Sequence, residues 1–321
     1  MMKSLGIALG AGVTSAVLFG VLTTATPVAI LFAYLAPLPI MIAGLGYAHP
    51  AGAVAALIGS GTVGVAMGPV AGLLFLLTLA LPAAALSHLA VRGAAATAGS
   101  SAGPTPPPDG RVARLLLWLV ALASVPVLLA GLALVWRFGS YAAAVSGGGA
   151  RFEARMSREG LTEGLRLGDL VRYAPVLVAA SGTLLLSINL WLAARTVQIS
   201  GRLPRPWPSL PDSIRLPRAA AGLLVLLVAA AFLPGPAGAA AAVVAGALAV
   251  VFVFQGLAAL HVVTRGLAVC GAILGGLYLV TVFVVPWCLI ALAVLGCLDC
   301  LVPGLRGRAG MVLTKPPKRR N

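Results

Sequence analysis

From Ser4 to Val91 the chain carries no Lys, Arg, Asp or Glu, 88 consecutive residues without a formal charge. A helix crosses the hydrocarbon core of a bilayer with about 20 apolar residues, so this run alone has room for four crossings. Further uncharged runs cover Leu115–Trp136, Tyr173–Ala194, Ala219–Thr264 and Gly266–Leu298. Only 9% of the 321 residues are charged and 60% are hydrophobic, against about a quarter charged in a soluble domain. A membrane barrel would need short segments of alternating apolar and polar residues, and no such alternation is present. The expected fold is all-α, a polytopic transmembrane bundle of about nine or ten spanning helices.

The net charge of +15 does not point to nucleic acid, because the basic residues sit in the connections between apolar runs, where they orient a chain during insertion. With Lys3 in the cytoplasm, four crossings return the chain at Arg92, Arg111 and Arg114. A fifth reaches an outer loop, 137–172, and a sixth returns to a cytoplasmic loop, 195–218. Two more, joined at Pro234-Gly235-Pro236, return to Arg265. The outer loop then holds six basic and four acidic residues, and the cytoplasmic side holds the other 16 basic and three acidic ones. That asymmetry matches an integral membrane protein with both termini cytoplasmic, its basic face against anionic lipid headgroups. The lipid bilayer is thus its first expected partner.

The expected organisation is a four-helix transmembrane block over 1–91, a flexible cytoplasmic linker over 92–114, a second transmembrane block over 115–302 and a basic cytoplasmic tail over 303–321. The first helix reads as a retained span, since Pro27 is followed at once by another apolar run. Residues 267–301 admit two readings. One long helix kinked at Pro286 gives nine spans, and two short crossings meeting at Val284–Trp287 give ten and return the tail to the cytoplasm. In the outer loop, Phe152, Met156, Leu161, Leu165 and Leu170 recur every four or five residues. That spacing suits either short amphipathic helices lying on the membrane or a solvated loop.

Motifs with chemical content are few. Cys297-Leu298-Asp299-Cys300 has the spacing of half a metal site, but a zinc site needs two further ligands and no second Cys pair or His cluster supplies them. No catalytic triad, phosphate loop or nucleotide fingerprint is present, so the chain reads as neither an enzyme nor a cofactor or metal protein. Gly pairs spaced by four at Gly6/Gly10, Gly64/Gly68, Gly68/Gly72 and Gly271/Gly275 suggest close helix packing. Candidate site residues are the polar groups inside apolar runs, which in hydrocarbon are costly and face the protein interior: Asn189, Gln255, His261 and Asp299. For each the alternative is an interhelical hydrogen bond and, for Asp299, an ion pair with Arg306 or Arg308. Arg202, Arg205 and Trp207, in the proline-rich stretch Ser200–Pro208, form a candidate cytoplasmic interface motif.

The block Asn189-Leu190-Trp191-Leu192-Ala193-Ala194-Arg195, followed by Ser200-Gly201-Arg202-Leu203-Pro204-Arg205-Pro206-Trp207-Pro208, resembles a signature of the DUF2232 family of bacterial inner-membrane proteins. Tyr34–Pro39, Leu81–Ala84, Asp109–Arg111 and Gly296–Asp299 are similar to further segments of that family, while Cys300, Pro303 and Gly304 depart from its expected aromatic-Arg end. The family is distantly similar to substrate-binding subunits of energy-coupling-factor transporters and to membrane scaffolds of the cell-shape machinery. The resemblance implies a binding or transport subunit for a small solute, energised by a separate ATPase or an ion gradient. It implies as alternative a non-catalytic scaffold for cell-envelope or division proteins.

Overall fold

The computed structural model describes residues 2–24, 26–47, 49–95, 110–140, 167–203, 207–267, 269–302 and 304–306, with Ala143, Ser146 and Gly147. Among these the chain is all-helical, without a strand. In order the helices are α1 (Met2–Gly20), α2 (Pro27–Tyr34), α3 (Pro37–Gly46), α4 (His49–Met67), α5 (Pro69–Phe75), α6 (Leu81–Ala95), α7 (Gly110–Phe138), α8 (Leu167–Ile199), α9 (Leu210–Ser213), α10 (Arg218–Ala230), α11 (Pro236–Thr264), α12 (Cys270–Phe283) and α13 (Val285–Leu301). A 3₁₀ turn extends α1 through Thr24, and a π turn, Leu76–Ala80, joins α5 to α6.

Proline sets many of the boundaries. α2, α3, α5, α11 and α13 each carry Pro in their first turn, where its missing N–H would have had no helical partner. The Thr26 hydroxyl caps α2, accepting from the Ala29 N–H at 3.2 Å. Pro126 in α7 and Pro175 in α8 instead lie inside helices that run on past them.

Among the described residues, seven stretches are long and apolar enough to cross a membrane: Ser4–Thr24, Pro27–Gly46, Pro50–Met67, Pro69–Arg92, Gly110–Phe138, Tyr173–Ile199 and Pro236–Thr264. These seven do not confirm the expected count of nine or ten. The remaining apolar helices, α10, α12 and α13, have 13, 14 and 17 residues. At 1.5 Å per residue they reach only about 20 to 26 Å, short of a core of roughly 30 Å. Residues 267–301 do break at Val284, but α12 and α13 touch little beyond their junction, and α12 is largely exposed. α6 continues through Ala95 and α7 starts at Gly110, which makes both edges of the 92–114 linker helical, and α8 takes in both Leu167–Arg172 and Arg195–Ile199. The apolar positions of the outer loop from Phe152 to Leu165, and the tail beyond Arg306, lie outside the described residues.

Two cores hold the helices together. The first joins α1, α3, α4 and α6 to one side of α7 and α8, around Ile40, Met41, Phe75 and Leu86. The second joins α10, α11 and α13 to the other side of α7 and α8, around Leu248, Val251 and Phe252. In both, helices meet across glycine. A methyl group added at Gly44 would collide with Ser87, and one at Gly52 would lie 2.9 Å from the Gly44 Cα. Gly256 of α11 and Gly296 of α13 are set against the backbones of Leu292 and Phe252 so closely that neither site has room for a Cβ. Of the glycines read from spacing, Gly64 and Gly72, members of different pairs, approach each other, with 2.7 Å between a Cβ built on Gly72 and the Gly64 Cα, while Gly68 meets nothing within 4 Å. Gly6, Gly10, Gly271 and Gly275 meet nothing among the described residues.

Candidate functional site

Asn189 sits on α8, 2% exposed, opposite the break between α2 and α3. There the helical ladder fails at Pro37. The Tyr34 carbonyl has no N–H three residues on, and the Leu38 N–H four residues on bonds to Leu35 instead, at 3.0 Å. The Asn189 amide donates to that carbonyl at 2.8 Å and to Leu185 O at 2.9 Å. Both partners are carbonyls, so the amide must present its nitrogen. Its Oδ1 is buried without a partner among the described residues.

Past Ile199 the chain leaves α8 through a left-handed Gly201 (φ 66°), with Gly201 N bonded to Gln198 O and Arg202 N to Val197 O, the pattern that closes many helices. The Arg202 guanidinium then lies over the Tyr47 ring, 4.3 Å from its centroid, a cation–π contact. Trp207 turns back against the first core, while Arg205 lies outside the described residues. The interface motif read from sequence is thus partly folded inward.

From Ser209 to Pro217 the chain is non-helical apart from the single turn of α9, yet Ile214 and Leu216 are buried. Backbone of this kind must find hydrogen-bond partners when it is removed from water. Three side chains supply them. The Leu216 N–H donates to Gln255 Oε1 at 3.0 Å, and the Cys300 thiol reaches Leu216 O at 3.3 Å. Arg306 donates to Pro211 O at 2.7 Å and Ile214 O at 2.8 Å. Arg306 also grips Asp299 with two N–H groups, at 2.9 and 2.8 Å, and Gln255 Nε2 donates to the same carboxylate at 2.9 Å. The Asp299 and Arg306 side chains are only 6% and 5% exposed. Removing one partner of such a buried pair costs about 3–5 kcal/mol. The outer end of the segment is tied down by Asp212, which accepts from Ser209 and pairs with Arg265 at 3.2 Å. The hydrogen bond from Arg265 holds the Asp212 carboxyl below its usual range.

Of the residues chosen from sequence, the structure joins Gln255 to Asp299 and leaves Asn189 and His261 in separate settings. Arg306, counted in the tail, is instead the centre of the network and belongs to the core. The signal for it was present: a lone buried acid at 299 requires a cation within reach.

His261 belongs to a cavity of about 470 Å³ between α7, α8, α11 and α12. Its wall is mainly apolar, with Leu119, Ile188, Trp191, Phe254 and Ala258 prominent, and Trp207, Leu210 and Ile214 closing one side. His261 Nδ1 meets Leu257 O at 2.8 Å. A carbonyl only accepts, so Nδ1 carries the proton and the Tyr278 hydroxyl, 3.4 Å from Nε2, is the donor to the ring. Ser187 donates to Thr183 O at 2.7 Å, which leaves its oxygen free to accept on the cavity wall. The Trp207 Nε1–H is buried without a partner among the described residues. No group of three or more His, Cys, Asp or Glu able to hold a metal occurs among the described residues. Comparison with family models, with curated proteins and with solved structures returns no match in any of the three, so the resemblance of Asn189–Pro208 stands on its quoted residues alone.

Proposed function

We propose that this chain is a non-enzymatic binding or transport subunit of the bacterial inner membrane that holds a small, mainly apolar molecule between α7, α8, α11 and α12. The observation that supports this reading is the 470 Å³ cavity. An apolar chamber with a few converging polar groups is the usual form of a small-molecule site. The occupant has an apolar body against Phe254 and Trp191 and one oxygen able to accept from Trp207. Any energy source is a partner, a separate ATPase or an ion gradient, and the mechanism needs no cofactor and no nucleic acid. In orientation both termini are cytoplasmic, with α10, α12 and α13 as short crossings, accommodated by local thinning of the bilayer, beside the seven longer spans. Reporter fusions after Arg114, Arg218 and Arg320 then read cytoplasm, and a fusion within Gly147–Gly149 reads the outer side.

The test is purification in mild detergent followed by native mass spectrometry, on the wild type and on Ala258→Phe, which fills the chamber with a ring. Retention of a small molecule by the wild type and its loss in the variant supports the reading. Identical bound species in both, with both proteins folded, refutes it. A second reading, a scaffold for envelope or division proteins, has its own support: Asn189 and Gln255 are engaged in internal hydrogen bonds, and α12 presents an exposed apolar face. Under it, a protein partner co-purifies with the wild type and is lost when Leu279 and Phe283 of that face are changed to Ser.

A further inference from the structure

A second cavity, about 550 Å³, opens on the other side of the Ser209–Pro217 segment, where α10 begins and α13 ends. It is independent of the apolar chamber and differs from it in charge. Three of its lining residues are arginines, Arg215, Arg218 and Arg306, against one carboxylate, Asp299. Both oxygens of that carboxylate are already engaged, by Arg306 and Gln255. The cavity therefore keeps two uncompensated positive charges. They belong to Arg215 and Arg218, which are exposed and make no ion pair among the described residues. Pro217, between them, limits the backbone of the stretch that carries both. α10 starts at Arg218, so its first N–H groups add to the positive field. Ala220 N bonds to Pro217 O at 2.9 Å.

We propose that this cavity binds a phosphate-bearing anion. A planar guanidinium matches two phosphate oxygens at once. A pair of such forks beside a helix start, on a floor fixed by the buried Asp299–Arg306 pair, can enclose one phosphate group. The phosphate is carried either by an anionic lipid headgroup or by a soluble ester, since the cavity lies where the basic connection of the chain meets the bundle.

The experiment uses the full chain in nanodiscs of two compositions, phosphatidylcholine alone and phosphatidylcholine with phosphatidylglycerol. Native mass spectrometry reads lipid retention, and thermal unfolding in phosphatidylcholine discs reads stabilisation by inorganic phosphate and by glycerol phosphate. The variant is Arg215→Gln with Arg218→Gln, which removes two exposed charges and no internal bond. The control, Arg92→Gln with Arg195→Gln, removes the same charge elsewhere on the exposed surface. A lipid headgroup is the source if phosphatidylglycerol is retained over phosphatidylcholine by the wild type and the control, and about tenfold less by the variant, the size of one charge-assisted bond lost. A soluble ester is the source if glycerol phosphate raises the melting temperature of wild type and control but not of the variant. The proposal is overturned if variant and control behave alike in both measurements, or if the wild type shows neither preference nor stabilisation.

Discussion

The two sides of the molecule solve the same problem differently. In each, a proline-marked break in helical structure leaves backbone groups inside the protein without their usual partners. On the α1–α6 side the break is small, at Leu35–Ala36, and the amide of Asn189 reaches the orphaned Tyr34 carbonyl. On the α10–α13 side the break is a segment of several residues, Ser209–Pro217. Its carbonyls and N–H groups are satisfied by a charged network of Gln255, Asp299 and Arg306. A neutral amide suffices for one carbonyl at low cost. A longer inserted segment needs several donors held in fixed directions, which a guanidinium provides only if its charge is balanced. The charged solution brings cavities and free arginines with it, and the neutral one leaves a tightly packed bundle.

The comparison breaks most sharply at the ion pair. Arg306→Leu leaves Asp299 buried and uncompensated, and unfolding of the α10–α13 side should become easier by about 3–5 kcal/mol. Limited proteolysis should then cut within 207–217 while the α1–α6 side stays resistant. Loss of both sides together would mean that they form one cooperative unit. The double change Asp299→Leu with Arg306→Leu should recover part of the stability, measured as melting temperature in detergent.

Glycine packing should behave alike on the two sides. Gly44→Val and Gly296→Val each force a side chain into a helix contact, at about 1–3 kcal/mol apiece. Unequal losses in denaturant unfolding would show that one interface can spread where the other cannot.

Asn189→Leu removes two donated bonds to carbonyls and should cost about 1 kcal/mol, the scale of polar contacts between membrane helices. Retention of any small molecule that the wild type carries in the apolar chamber should be unchanged, since Asn189 does not line it. A binding defect without a stability loss would move Asn189 from structure to site.

The smallest effect concerns Asp212 and Arg265, a half-exposed pair worth at most about 1 kcal/mol. The folded carboxyl titrates below its unfolded value. Its contribution is therefore present above the unfolded carboxylate range, near pH 4, and is lost as pH falls through the folded value. The melting-temperature gap between wild type and Asp212→Asn should be measurable at pH 7 and should close in strong acid. A gap that persists at low pH would show that the loop is held by something other than this charge.

Much of this was legible in the residues. The uncharged runs located the helices, and Asn189, Gln255 and Asp299 stood out because polar groups in such runs need partners. Asp299 with Arg306 was foreseeable as one of two pairings. The inward course of Ser209–Pro217 was not legible, because a polar, proline-rich stretch between two spans reads as a surface loop. Spacing of four marked Gly6/Gly10 and Gly271/Gly275, which pack on nothing described, and passed over Gly256 with Gly296, which meet across two helices. A pair spaced along one helix says nothing about which face another helix covers.

The sequence by itself determined that the chain is helical and built for a membrane, since hydrocarbon requires apolar runs whose backbone bonds close within each segment. It also determined where those runs stop, because proline cannot donate and charge cannot be left in lipid. The tertiary structure decided which glycines become contacts and which arginine is buried. Those outcomes depend on groups far apart in the chain, such as Ile214 and Arg306, whose meeting is fixed by packing and by the need of each buried polar group for a partner.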